Sequence, residues 1–137
     1  MADYFEFPVR VYYEDTDAGG VVFYANYLRF FERGRTEWLR HGGISQYQMT
    51  QEHGVMFVVS HAEIDYLRPA RLDDVLRIRS RVDRLARVAV TFQQEAWRDS
   101  QDGPELLSTS QIKVGCVSFA SLRPVPIPDA VRSALEP

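Results

Sequence analysis

The stretch Tyr13-Glu14-Asp15-Thr16-Asp17-Ala18-Gly19-Gly20-Val21-Val22-Phe23-Tyr24-Ala25-Asn26-Tyr27 brings carboxylates, a glycine pair and the start of a helical pattern close together. A carboxylate can act as base or nucleophile, and the free N–H groups at a helix start can hold developing negative charge. Gly19 and Gly20 allow the backbone to approach a ligand closely or to turn left-handed. We read this stretch as an active site and the remainder as its scaffold. On spacing alone, Asp17 is equally a residue that closes an Asx turn before the glycines. Asp15 is a turn acceptor or a group that orients its neighbours.

The site has to be positioned by the elements on either side. Phe5, Phe7, Val9, Val11 and Tyr13 alternate with polar residues and predict a strand, with Pro8 marking an edge or a break. From Asn26 the apolar period lengthens. Tyr27, Leu28, Phe30, Phe31, Trp38 and Leu39 predict a long helix, capped by Asn26 and stopped at Gly42-Gly43. Gly34 within it costs about 1 kcal/mol relative to alanine, which is explained if the helix backbone lies close against a sheet. Ser45 and Gln48 predict a capping box for a second helix that ends near His53-Gly54.

The rest reads as sheet: a run over 55–67, an alternation over 76–83, its continuation from Val88, and a last strand over 106–119. Pro124, Pro126 and Pro128 predict an extended tail without regular structure. Turn-like connections make the sheet antiparallel. The expectation is an α+β layer in which a curved sheet wraps the long helix. Val, Phe and Trp residues assigned to the other sheet face predict its burial by a second subunit.

Bulk properties exclude several function classes. The chain has 137 residues, read as a single domain over 1–137, and a formal net charge of −3, which argues against general nucleic-acid binding. One cysteine, Cys116, allows no internal disulfide and suits a reducing, cytoplasmic setting. Neither a signal peptide nor a transmembrane segment is expected. His41, His53 and His61 lack metal-ligand spacing, so neither metal nor cofactor is expected.

The stretch from Tyr12 to Leu39 closely resembles the signature of hotdog-fold acyl-CoA thioesterases, in particular the 4-hydroxybenzoyl-CoA thioesterase family and its branch associated with the Tol-Pal system. The motif from Tyr13 to Val22 carries the likeness, with Tyr24-Ala25-Asn26-Tyr27 and Glu32-Arg33-Gly34-Arg35-Thr36-Glu37. Glu63-Ile64-Asp65-Tyr66 and Pro69-Ala70-Arg71-Leu72-Asp73-Asp74 extend it. The resemblance implies a five-stranded antiparallel sheet around a long helix. It also implies a homodimer or a dimer of dimers, with active sites at the subunit interface. In some members of the Tol-Pal-associated branch a histidine stands where this chain has Tyr24.

The resemblance further implies acyl-CoA hydrolysis, with Asp17 as nucleophile or general base. The Tyr24 amide is the implied oxyanion donor, and the Tyr24 ring is a pocket wall or plain core. Tyr13 orients Asp17 or is a buried tyrosine with a satisfied hydroxyl. Gly19, Gly20 and Val21 line the approach of the thioester. Asn26 caps the helix or orders the loop, and Glu63 faces the site across the dimer or pairs with an arginine. Arg84, Arg87 and Arg123 are candidates for the phosphates of coenzyme A, because guanidinium groups bind phosphate bidentately. A non-enzymatic protein that binds acyl-CoA or an acyl carrier protein is the rival reading.

Overall fold

A computed structural model describes residues 4–136. Strand β1 spans Phe5–Arg10, and a one-turn 3-10 helix follows at Tyr13–Asp15. Helix α1 is Asn26–His41 and helix α2 Gln46–His53. Strands β2 Val55–Tyr66, β3 Val75–Leu85, β4 Ala89–Ser100 and β5 Gly103–Ser118 come next, and a short helix α3, Asp129–Leu135, ends the order. The strands form one antiparallel sheet in the order β1-β3-β4-β5-β2.

The inner sheet face holds Leu76, Ile78, Val90, Phe92, Ile112 and Val114, and α1 lays Tyr27, Phe30, Phe31 and Leu39 against it. Gly34 sits where the helix backbone meets the sheet. A Cβ there would lie 2.8 Å from Ile78 Cγ2 and 3.2 Å from both Gln94 Nε2 and Ser80 Oγ. Gln94 is fully buried and uses its amide at this crossing. Nε2 donates to Phe31 O and to Ser80 Oγ, both at 2.8 Å, and Oε1 accepts from Arg35 Nη1 at 2.9 Å. A buried polar group is tolerated here because its donors and acceptor are met. Burial lowers the Arg35 guanidinium to about 10, with Glu32 acting in the opposite direction.

Four expectations are corrected. The first strand stops at Arg10, because the chain turns into the 3-10 helix and Tyr13 leaves the sheet. Ala25, not Asn26, is the helix N-cap, and Asn26 is the first helical residue. The proline-rich end is not wholly extended. Pro128, which carries no backbone N–H, stands at the N-cap of α3, and Val131 and Leu135 are buried.

The outer sheet face, finally, is not an apolar surface. Arg77 bridges Glu6 at 2.8 Å and Asp99 at 3.0 Å, and the Arg79 guanidinium stacks 4.1 Å from the centre of the Tyr4 ring. Trp97 Nε1 donates to Glu95 Oε1 at 2.9 Å. Charge pairing and stacking engage part of that face within the protomer, while Arg77 Nε and Arg79 Nε are buried with no hydrogen-bond partner among the described residues. The second helix forms one half of the expected capping box: Ser45 Oγ accepts from the Gln48 N–H at 3.3 Å, and Gly54 closes the helix in the left-handed region at φ 66°.

Candidate active site

The chain between β1 and α1 folds into a small loop clamped on three sides. Asp17 opens a tight turn: the Gly20 N–H donates to Asp17 O at 3.0 Å and the Asp17 N–H to Val21 O at 2.9 Å. Gly20 lies at φ 80°, so this is a three-residue hairpin loop with glycine in the left-handed position. Thr16 and Val22 bridge below it, and Val21 bridges to Arg71. The Val22 N–H donates to Ala70 O at 2.8 Å, which fastens the loop to the β2–β3 connection.

Asp17 is exposed, and its Oδ1 accepts from the Gly19 N–H at 2.8 Å. The Asx turn and the candidate carboxylate are therefore the same group. The turn aims the carboxylate, and the carboxylate remains open to solvent. It lines a depression of about 300 Å³ with Glu14, Thr16, Phe23, Ala25, Asn26 and Arg29.

Asp15 does a different job. It is 4% exposed; its Oδ1 accepts from Asn26 Nδ2 and its Oδ2 from the Tyr12 N–H, each at 2.8 Å. Its carbonyl accepts from the Phe23 N–H at 2.9 Å. One buried acid thus joins the strand exit, the loop and the first turn of α1. Asn26 orders the loop and does not cap the helix through its side chain.

The start of α1 leaves donors free. The Asn26, Tyr27 and Leu28 N–H groups bond back to Phe23, Tyr24 and Ala25 carbonyls, as 3-10-like turns. Among the described residues, the Tyr24 and Ala25 N–H groups have no protein acceptor. Phe23 and Ala25 line the Asp17 depression. The Tyr24 ring instead lines a second one, of about 250 Å³, with Val22, Tyr27, Tyr66, Leu67, Arg68 and Pro69. The Tyr24 peptide therefore lies between a carboxylate on one side and a largely apolar, tyrosine-walled hollow on the other.

Tyr66 closes the Glu63-Ile64-Asp65-Tyr66 motif, and the sequence assigns it no role. Its hydroxyl donates to Tyr24 O at 2.9 Å, and its ring meets those of Tyr24 and Tyr27 edge-on. A tyrosine at the end of a strand, directly after an acid, is the signal, but its partner is invisible without the fold. Burial raises the Tyr27 hydroxyl above its ordinary range. That hydroxyl accepts from the Ala70 N–H at 3.2 Å.

Not every expected residue gathers here. Tyr13 is 81% exposed, and among the described residues its hydroxyl meets neither Asp17 nor any other group. Glu63 lies on the outer face of β2 and pairs with His61 at 2.8 Å, not with an arginine. Arg84, Arg87 and Arg123 collect at the opposite end of the sheet, where the Ile127 N–H meets Arg87 O and the Ser118 N–H meets Arg123 O. Val75, at the loop end of β3, is about 30 Å from Arg84 at the strand rise per residue. Within one protomer these arginines are out of reach of Asp17. Among the described residues no group of three or more metal-ligating side chains occurs, and no helix is long and apolar enough to cross a membrane.

Comparison with known proteins agrees with this architecture. Residues 19–105 match the family model described as the thioesterase superfamily. The chain is 44% identical over 130 residues to the acyl-CoA thioesterase YbgC of Haemophilus influenzae, covering 95% of this chain and 93% of that one. It is 41% identical to the acyl-CoA thioester hydrolase YbgC of Escherichia coli O157:H7, over 93% and 92% of the two chains.

Among solved structures, a probable thioesterase from Bartonella henselae superposes with a TM-score of 0.84 at 34% identity, covering 91% of this chain and 99% of that one. A 4-hydroxybenzoyl-CoA thioesterase variant complexed with 4-hydroxybenzoyl-CoA superposes with a TM-score of 0.91 over 98% and 100% of the chains. At 18% identity it speaks for the fold alone. With five antiparallel strands wrapped around α1 and a family match over most of its length, the chain belongs to the thioesterase superfamily and has the hotdog fold.

Proposed function

We infer that this protein hydrolyses acyl-CoA thioesters to the free acid and coenzyme A. The observation that carries the reading is the pairing of an exposed, turn-aimed Asp17 carboxylate with the unoccupied N–H of Tyr24 across one small loop. As a thioester carbonyl is attacked, its oxygen gains negative charge, and a pre-set N–H donor stabilises that charge without reorganisation. Asp17 either attacks the carbonyl carbon, expelling the coenzyme A thiolate and leaving a mixed anhydride that water cleaves, or takes a proton from a water that attacks that carbon and expels the thiolate. The acyl group lies in the hollow walled by Tyr24, Tyr27 and Tyr66. Gly19, Gly20 and Val21 form the backbone rim over which the thioester passes.

The depression is open on one side, and we propose that a second copy closes it. Strand β2 is the edge of the sheet, with Val59 at 52% exposure, and no described residue pairs with its outer edge. Two such edges joined antiparallel about a two-fold axis set the Val55 end of one copy beside the Tyr66 end of the other. The same operation carries Arg84, Arg87 and Arg123 of one copy toward the Asp17 end of its neighbour, where coenzyme A phosphates need cations. Tyr13 and Glu63, exposed in the protomer, acquire neighbours in this arrangement. Since acyl-CoA is a cytoplasmic thioester, the protein acts in the cytoplasm.

Purified protein assayed for thiol release on short-chain, long-chain and aromatic acyl-CoAs, with an acyl-carrier-protein thioester alongside, tests the reading. Asp17→Asn keeps the acceptor for the Gly19 N–H and hence the turn. It should lower turnover by about 10²-fold or more. Wild-type turnover in Asp17→Asn would return Asp17 to a turn-forming role. Binding without hydrolysis on every thioester would favour the non-enzymatic alternative.

A further inference from the structure

Resting on the assignment of the Tyr24 N–H as oxyanion donor, we propose that Tyr66 is a positioning residue that holds this donor in place through its hydrogen bond to the Tyr24 carbonyl.

In a regular helix the Tyr24 carbonyl would accept from the Leu28 N–H. Here Leu28 bonds to Ala25 O at 3.2 Å, and the Tyr27 N–H reaches Tyr24 O only at 3.4 Å. The carbonyl is thus weakly held from within its own helix. Tyr66 Oη, at 2.9 Å, is its short partner.

The loop is bracketed on the other side. The Phe23 N–H is bound to Asp15 O at 2.9 Å, and the Asn26 N–H to Phe23 O at 2.8 Å. The peptide that carries the Tyr24 N–H therefore sits between an upstream clamp built by Asp15 and a downstream clamp built by Tyr66. Loss of either frees one side of the donor.

Tyr66 is itself well placed for this duty. It is the last residue of β2, so the sheet sets its backbone, opposite Ser108. Its ring meets the Tyr27 ring edge-on at 5.4 Å and the Tyr24 ring edge-on at 6.3 Å. Tyr27 is buried and is pinned in turn by the Ala70 N–H. Burial, with Tyr24 beside it, raises the Tyr66 hydroxyl above its ordinary range, so it stays protonated and donates. Because an oxyanion donor acts through its fixed geometry, small displacements are costly: a misplacement of about 1 Å can cost about 10²-fold in rate.

Tyr66→Phe removes only the hydroxyl and keeps the ring in its aromatic contacts. On the best acyl-CoA substrate kcat should fall by about tenfold, with KM within about twofold, since the lost interaction serves only the transition state. The pH–rate profile should keep its shape, because Tyr66 donates to the backbone and exchanges no proton with substrate. Amide hydrogen exchange should rise at residues 24–28 and stay unchanged in β3, β4 and β5. An unchanged kcat overturns the proposal, as does a rise in KM alone. A fall in kcat accompanied by faster exchange across the whole sheet overturns it too, because the hydroxyl would then be a general stabiliser. Asp17→Asn, run in parallel, separates the two levels. If that variant turns over normally, the underlying reading falls and this proposal with it. If it is inactive while Tyr66→Phe keeps its kcat, only the role of Tyr66 falls.

Discussion

Asn26 Nδ2 donates to Asp15 Oδ1 at 2.8 Å, and both residues are buried beneath the loop that carries Asp17. The second carboxylate oxygen of Asp15 takes the Tyr12 N–H, also at 2.8 Å. A single acid therefore sets the spacing between the end of β1 and the first turn of α1, and with it the position of the Tyr24 amide.

Asn26→Ala should remove one of the two side-chain bonds that compensate the buried Asp15 carboxylate. Hydrogen bonds to charged groups contribute about 1.5–3 kcal/mol, so a stability loss of about 2 kcal/mol is expected, together with a lower kcat. Urea unfolding and steady-state kinetics measure both. An unfolding midpoint and a kcat equal to wild type would show that the lock does not position the site.

Tyr24→Phe should cost little in kcat, because the ring and the backbone N–H are kept and the hydroxyl is not part of the machinery. A large loss of kcat at constant KM would assign the hydroxyl to the transition state. Tyr24→His places an imidazole at the loop position. We expect no gain on short acyl-CoAs, since carboxylate and amide already supply the minimum chemistry. A several-fold rise would show that an imidazole adds acid–base help at this point of the loop.

Gly34→Ala sets two effects against each other. Alanine gains about 1 kcal/mol of helix propensity. Its Cβ would stand 2.8 Å from Ile78 Cγ2, and overpacking a tight core costs about 1–3 kcal/mol. The contact should win, giving net destabilisation, and in an Ile78→Ala background, where Cγ2 is gone, the added cost of Gly34→Ala should shrink. Thermal denaturation of the single and double variants decides the matter. A stabilised Gly34→Ala would show that α1 can lift from the sheet freely.

Val59→Glu places a charge on the inward side of the β2 edge, the device by which edge strands resist pairing. Sedimentation should show the wild type as a dimer or larger. The variant should sediment as a protomer of 15.8 kDa and lose most of its turnover. A wild type that is already monomeric at micromolar concentration would remove the shared-site arrangement altogether.

The fold was largely legible because its signals are local. The β-prone run of β2, the period of two in β3 and β4, the apolar stripe of α1 and the Ser45 and Gly54 caps of α2 each follow from neighbouring residues. Gly34 was also readable as a close approach, although the atoms it approaches come from Ile78, Ser80 and Gln94, far along the chain. What escaped depends on distant partners. Alternation cannot say that an outward Arg77 finds Glu6 and Asp99, so from sequence the outer face reads as more apolar than it is. The prolines before α3 masked a short helix that is held by burial of Val131 and Leu135. In the site, Asp17 was found by motif. Asn26 looked like a cap because its acceptor, Asp15, lies eleven positions earlier and meets it only after the loop has closed. Tyr66 had no visible duty until its hydroxyl met a carbonyl 42 positions away.

The frame of the Asp17 loop is mostly main chain: Asp17 to Val21, Gly20 to Asp17, Val22 to Ala70 and Phe23 to Asp15 all bond through backbone atoms. Side chains at positions 18, 21 and 23 therefore contribute little to holding the carboxylate and the amide where they are. Mutation can exchange them, altering the width and greasiness of the entrance while the reactive geometry persists. Such a loop separates the acquisition of new acyl preferences from the preservation of the chemistry, which lets a lineage explore substrates through single substitutions without passing through inactive intermediates.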